Sequence, residues 1–240
     1  VSPVATLPAP PARWLALWLA ALLLSWIPLP LRAADTNHNF ARWEKDIRAF
    51  ESAARTNPPP RDGILFIGSS TIARWKTLAQ DYPGLPVINR GFGGSEIADS
   101  THFADRIIFP YHPRMVLLRA GGNDLHAGKT PEQVFSDFKE FEQTVHAHLP
   151  ECQVVFISLS PSVSRAGEAA DTRRLNDLVR DYCAGRGRLS YLETYDISLD
   201  AAGKLRPELF VEDRLHFNAK GYALLADRVR PALTKQRPGI

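Results

Sequence analysis

Apolar residues recur along this chain in two alternating rhythms. Ile64–Ile67, Pro86–Asn89, Met115–Leu118, Val154–Ile157 and Leu189–Leu192 are short, largely apolar runs. Runs this short, closed by turn residues, predict strands buried on both faces. Each leads into a polar or glycine loop, at Gly68, Gly91, Gly121-Gly122, Ser158 and Asp196. The stretches between them follow the helical period instead. Val134, Phe138, Phe141 and Val145 share one face, with Thr130-Pro131-Glu132 as a start signal. Leu175, Leu178, Val179 and Tyr182 share another, and Asn218 caps a last helix carrying Tyr222, Leu225 and Val229. Ahead of the first strand, Phe40, Trp43, Ile47 and Phe50 predict an amphipathic helix over 38–56, closed by Asn57 and three prolines.

Alternating strands and helices imply a parallel sheet covered on both faces. The expectation is therefore an α/β protein: three layers, α/β/α, around a five-stranded parallel, flavodoxin-like sheet. In such a sheet the loops after the strands gather at the carboxyl edge, where ligands bind. Residues 68–71, 91–95, 121–124 and 213–216 can thus meet despite their separation in sequence.

The N-terminus does not fit this rhythm. Arg13 precedes a run from Trp14 to Ile27 broken only by Ser25, then Pro28, Pro30 and the small residues Ala33-Ala34. This is the pattern of a secretory signal peptide over residues 1–34, with an uncleaved anchor as the rival reading. The run is short for a spanning helix, which needs roughly 20 apolar residues. Either reading exports the domain, to the periplasm or beyond. The expected organisation is a leader over 1–34, an N-terminal helix and proline-rich linker over 35–60, and one domain over 61–235.

Composition narrows the function. At 45% hydrophobic and 23% charged the chain has the means for a packed core. The net charge is only +3, and the leader carries two of the excess cations, Arg13 and Arg32. A nucleic-acid binder normally shows a stronger basic excess. The two cysteines, Cys152 and Cys183, bracket a strand–helix unit whose ends lie close together. A disulfide and a pair of buried thiols both remain open. No histidine has a partner at metal-ligand spacing, so neither metal nor cofactor is expected.

Nucleotide motifs fail on spacing. Gly122 and Gly128-Lys129-Thr130 resemble a phosphate loop, but five residues separate the glycines where four are needed. Gly91-Phe92-Gly93 reaches Glu96 where a dinucleotide fingerprint needs glycine. No Gly-x-Ser-x-Gly elbow occurs. What remains is a serine after a buried strand, Ser70; an amide after two glycines, Asn123; and an Asp-x-x-His pair, Asp213 and His216. Singly, each has an ordinary structural reading as a helix cap, a turn residue or a loop tie.

Together they occur in order as Gly68-Ser69-Ser70, Asn89 to Ser95 (with Gly93-Gly94), Gly121-Gly122-Asn123-Asp124 and Asp213 to His216. In this the chain resembles the SGNH, or GDSL-type, hydrolases across roughly residues 60–230. It looks closest to small bacterial members similar to platelet-activating-factor acetylhydrolase subunits. The resemblance implies Ser70 as nucleophile, His216 as general base and Asp213 as its partner. It implies the Ser70 and Gly94 amides and the Asn123 side chain as oxyanion donors. These roles make chemical sense, since a serine hydroxyl needs a base, the base an orienting carboxylate, and the oxyanion preorganised donors. One departure stands out: the family has Asp before the nucleophile, whereas Ser69 brings no charge but can still hydrogen-bond the loop. The expectation is an exported ester hydrolase working through a Ser70 acyl-enzyme, with small acetyl-like esters of carbohydrate or lipid as substrates. Nucleic acid is not an expected partner, nor is stable membrane association unless the leader stays attached. A non-catalytic exported binding module is the alternative from another class.

Overall fold

The five apolar runs pair edge to edge as β1 (Ile64–Gly68), β2 (Val87–Gly91), β3 (Met115–Arg119), β4 (Gln153–Ile157) and β5 (Leu189–Leu192), in a computed structural model that describes residues 38–234. The leader expected over residues 1–34 lies outside the described residues. All pairings are parallel and the order is β2-β1-β3-β4-β5, which is the flavodoxin-like order. The central strands β1 and β3 are buried at every position, whereas the edge strands β2 and β5 are only partly covered. Strands β1 to β3 each extend past their apolar run, to Gly68, Gly91 and Arg119. The ladder continues because Gly68 pairs in register with both Gly91 and Arg119. Hydrophobicity gives no sign of that continuation.

Helices precede, connect and follow the strands: α1 (Glu44–Thr56), α2 (Ser70–Ala73), α3 (Leu78–Asp81), α4 (Ile97–His102), α5 (Ala104–Ile107), α6 (Gly122–His126), α7 (Pro131–His148), α8 (Ala169–Cys183) and α9 (Ala219–Thr234). Strand periodicity sorts the core into two clusters. Leu65, Ile67, Val116, Leu118, Val154 and Phe156 face α1, α4, α7 and α8. Ile64, Phe66, Met115, Leu117, Val155 and Ile157 face Trp75, Tyr82 and α9. This is the three-layer α/β/α arrangement. Each fully buried Phe or Leu contributes roughly 1.5–3 kcal/mol through removal from water.

The start signals hold in detail. Thr130 and Gln133 form a reciprocal capping box at α7. The Asn218 Oδ1 accepts from the Lys220 and Gly221 amides at 2.9 and 3.2 Å, capping α9. The N-terminal helix joins the same unit as the sheet, which runs from Phe40 onward. It begins as a 3-10 turn, Phe40–Trp43, before α1. Arg106 clamps it, donating to both carboxylate oxygens of Glu51 and of Glu44 at 2.7 to 3.1 Å. Two-pronged guanidinium–carboxylate pairs of this kind are stronger than single surface ion pairs. Of the two readings of the cysteines, the structure shows buried thiols: Cys152 and Cys183 lie in the same core cluster without a bridge.

Candidate active site

Gly68 ends β1 with φ of +137°, and a Cβ there would stand 2.1 Å from the Arg119 carbonyl oxygen. Only glycine allows β1 to press so closely on the end of β3. The chain then turns: the Ser69 amide donates to Arg119 O at 3.1 Å, and Ser69 O accepts from Ile72 and Ala73. This sets Ser70 as the first residue of α2. Asn89, near the end of β2, fastens the turn by donating from Nδ2 to Ile72 O at 2.7 Å and accepting from the Gly91 amide at 2.9 Å. From the far side, the Tyr222 hydroxyl donates to Thr71 O at 2.9 Å. The Ser69 side chain makes no cap hydrogen bond to the start of α2.

Asp213 and His216 lie in a loop closed by an antiparallel bridge between Phe210 and Phe217, whose rings stack 5.3 Å apart. Asn218 holds its neck by donating to Glu208 O and Phe210 O. The loop delivers His216 to the serine. His216 Nε2 is 2.9 Å from Ser70 Oγ, and Nδ1 is 2.7 Å from Asp213 Oδ2. The other Asp213 oxygen accepts from the Leu215 and His216 amides, both at 2.9 Å. Burial opposes the charge on Asp213, but the His216 amide, the His216 ring and the Leu215 amide outweigh it. They hold the carboxyl well below the usual carboxylate range. The tautomer that follows carries its proton on Nδ1, toward the carboxylate, leaving Nε2 as an acceptor facing the hydroxyl.

Asn123 stands in the first turn of α6, entered through Gly121 at φ of +119°. Its Nδ2 donates to Ser95 O at 2.9 Å. Gly94, at φ of +80°, lies beneath Trp43, whose Cη2 would be 3.1 Å from a Cβ at that position. Its neighbour Gly93 faces Ser70. As the first residue of α2, Ser70 has no intrahelical acceptor for its amide. Neither that amide nor that of Gly94 donates to a protein acceptor among the described residues. A charged cluster braces both loops from behind. Lys129 reaches Glu96 at 2.7 Å, Asp137 at 2.9 Å and Asp124 at 3.3 Å, and Asp124 also accepts from the Ile97 amide. Burial pushes the Asp124 carboxyl up to about 7 against the pull of Lys129.

The five residues singled out from sequence therefore gather at the carboxyl edge, with Ser70, His216 and Asp213 in one hydrogen-bonded line. A cleft of about 90 Å³ opens beside them, lined by Ser70, Asn123 and His216 and by Arg119, Ser160 and Arg165. Arg119 is fully buried and donates to Ser158 O, Thr194 Oγ1 and Ser160 Oγ, tying the ends of β3, β4 and β5 together. Burial lowers its guanidinium to about 10. Arg119, Arg165 and Trp43 were not foreseen as site residues. For Arg165 one signal existed, its place in the polar loop after β4. Chemically, the line can activate a hydroxyl, and the amides beside it can receive an oxyanion.

Comparison with known proteins agrees with the fold. Residues 63–224 match the model of the GDSL-like lipase/acylhydrolase family. Solved structures share the fold. A structure from Streptococcus pneumonia, assigned provisionally as a platelet activating factor, superposes with a TM-score of 0.72 at 17% identity, covering 92% of this chain and 99% of that one. A GDSL-like lipase from Bacteroides thetaiotaomicron gives 0.63 at 16% identity over 81% and 97%. A catalytic mutant of an acetylxylan esterase from Geobacillus stearothermophilus gives 0.59 at 13% identity over 75% and 98%. Among curated proteins no match is found.

Proposed function

This chain belongs to the GDSL-like lipase/acylhydrolase family, and from that premise we propose that it cleaves esters of small acyl groups through an acyl-enzyme on Ser70. The observation that carries the assignment is the line Ser70 Oγ, His216, Asp213, with gaps of 2.9 and 2.7 Å. His216 Nε2 takes the hydroxyl proton as Ser70 Oγ attacks the ester carbonyl. The negative oxygen that forms is received by the Ser70 and Gly94 amides and the Asn123 Nδ2. Collapse breaks the bond to the alcohol, which leaves with the proton from His216. Water, deprotonated by the same nitrogen, then attacks the acyl-serine; the bond to Ser70 Oγ breaks, His216 returns the proton to that oxygen, and the carboxylic acid is released. Asp213 stays ionised throughout, holding the ring and its transient positive charge.

The small cleft beside Ser70 favours a short acyl group with the alcohol left outside. Acetyl esters of carbohydrate are the first substrates to test and lipid esters the second; a relative in fold is an acetylxylan esterase. Residues 1–34 support action outside the cytoplasm, through the leader pattern already described.

The test is covalent. A fluorophosphonate probe is expected to label the protein at Ser70, and Ser70→Ala to abolish both labelling and hydrolysis of p-nitrophenyl acetate. Ser69→Ala should retain both. Labelling that survives Ser70→Ala would assign the chemistry elsewhere. A p-nitrophenyl ester series should show kcat/KM falling as the acyl chain lengthens beyond butyryl, and a rise with length would refute the small acyl site.

A further inference from the structure

Arg165 is half-buried at the end of the loop 158–165 and lines the cleft beside Ser70. Its Nη1 donates to Gly122 O at 2.9 Å and to Asn123 Oδ1 at 3.2 Å, and its Nη2 donates to the same Oδ1 at 3.2 Å. The guanidinium thus spends its donors on neutral oxygens of the loop that carries Asn123. Glu168, which lines the same cleft, is engaged by His126 at 2.6 Å.

We propose that Arg165 is a positioning residue for the oxyanion hole, acting through the Asn123 carboxamide. A carboxamide offers an acceptor on one side and two donors on the other, and nothing in its shape prevents it from turning over. Here the guanidinium removes that freedom. A flipped Asn123 would set its own N–H groups against those of Arg165 and an oxygen against Ser95 O. In the orientation held, one Nδ2 proton goes to Ser95 O and the second is left for the oxyanion. A charged donor on Oδ1 also draws electron density away from the amide nitrogen, which makes its N–H a stronger donor. Donors fixed before the charge develops are what an oxyanion site requires.

The loop that presents Arg165 is itself held from three directions. The Ser164 amide donates to Arg214 O at 3.1 Å, the Ser198 hydroxyl donates to Pro161 O at 2.8 Å, and Asn176 brackets Leu159 through its amide and carbonyl. Arg214 lies between Asp213 and His216. The loop 158–165 is therefore a strap joining the loop that bears His216 to the first turn of α6, which bears Asn123.

This inference rests on Asn123 being an oxyanion donor, and the experiment separates the two. Hydrolysis of p-nitrophenyl acetate is measured for wild type, Asn123→Ala, Arg165→Met, Arg165→Lys and the Asn123→Ala/Arg165→Met double variant. Arg165→Met is expected to lower kcat by about 10- to 100-fold, as misplaced catalytic groups do, with KM changed by less than roughly two-fold. Arg165→Lys, which keeps the charge and loses the fork, should recover part of the loss. The double variant should be about as slow as Asn123→Ala alone, because Arg165 has nothing left to position. Losses that multiply in the double variant, or a rise in KM at constant kcat, would overturn the proposal. Should Arg165→Met fail to fold, Arg165→Lys in the wild-type and Asn123→Ala backgrounds gives the same comparison. A wild-type kcat in Asn123→Ala would instead remove the oxyanion role of Asn123. A slow Asn123→Ala beside an unimpaired Arg165→Met would leave that role standing and refute this one.

Discussion

Asp213 shows how one residue's surroundings set the behaviour of the whole reaction. Its carboxyl is held low by the His216 and Leu215 amides and the His216 ring, in spite of burial. The folded value lies below the unfolded one, near 3.9. The stability it contributes is therefore complete above that value and is lost as pH falls through the folded pKa. Across the assay range it does not titrate, so an acid-side loss of activity there comes from another group. Asp213 should add no slope to the acid limb of log kcat/KM against pH, whereas Asp124, raised to about 7 behind the oxyanion loops, ionises inside the assay range. A slope of two would reveal a second essential ionisation. At this scale much of the candidate site was legible, because Ser70, Gly94, Asn123, Asp213 and His216 each sit in a short block with its own local pattern. Arg165 was not, since it meets Asn123 across 42 residues and no local pattern encodes that contact. Trp43 escaped for a similar reason: at helical spacing with Phe40, Ile47 and Phe50, it looks like any core aromatic.

Among the elements, the turn before α1 has more to do than its sequence suggests. Trp43 is 7% exposed, meets Phe92 edge-on at 5.7 Å, and covers Gly94. The Arg42 guanidinium stacks on its outer face at 4.5 Å. The turn thus roofs the loop whose amide is proposed to receive the oxyanion. Trp43→Ala should cost about 3–5 kcal/mol in urea unfolding, the usual range for a buried aromatic. It should also lower kcat at temperatures well below unfolding, with Trp43→Phe retaining most of both. Loss of stability with kcat intact would make the roof structural only. Helix and strand cores were readable here from periodicity and capping residues. Their ends were less so, because glycines such as Gly68 continue the β-ladder without any hydrophobic signal.

For the molecule as a whole, the sheet order and the two-sided core followed from strand–helix alternation, but the state of the cysteines did not. Cys152 and Cys183 are buried thiols, and burial pushes Cys183 up to about 12. A thiol reacts as its thiolate, so native protein should react slowly with Ellman's reagent, whereas two thiols per chain should appear in denaturant without reductant. None in denaturant would mean that a bridge forms after all. The contact between serine and histidine has a consequence in time. Ser70 and His216 meet across 146 residues, and β2 through β5 all lie between them. A chain emerging from the ribosome therefore exposes its serine long before the histidine exists to arm it. Reactive chemistry waits until all five strands have been synthesised, and a fragment released early carries a hydroxyl no more dangerous than any other.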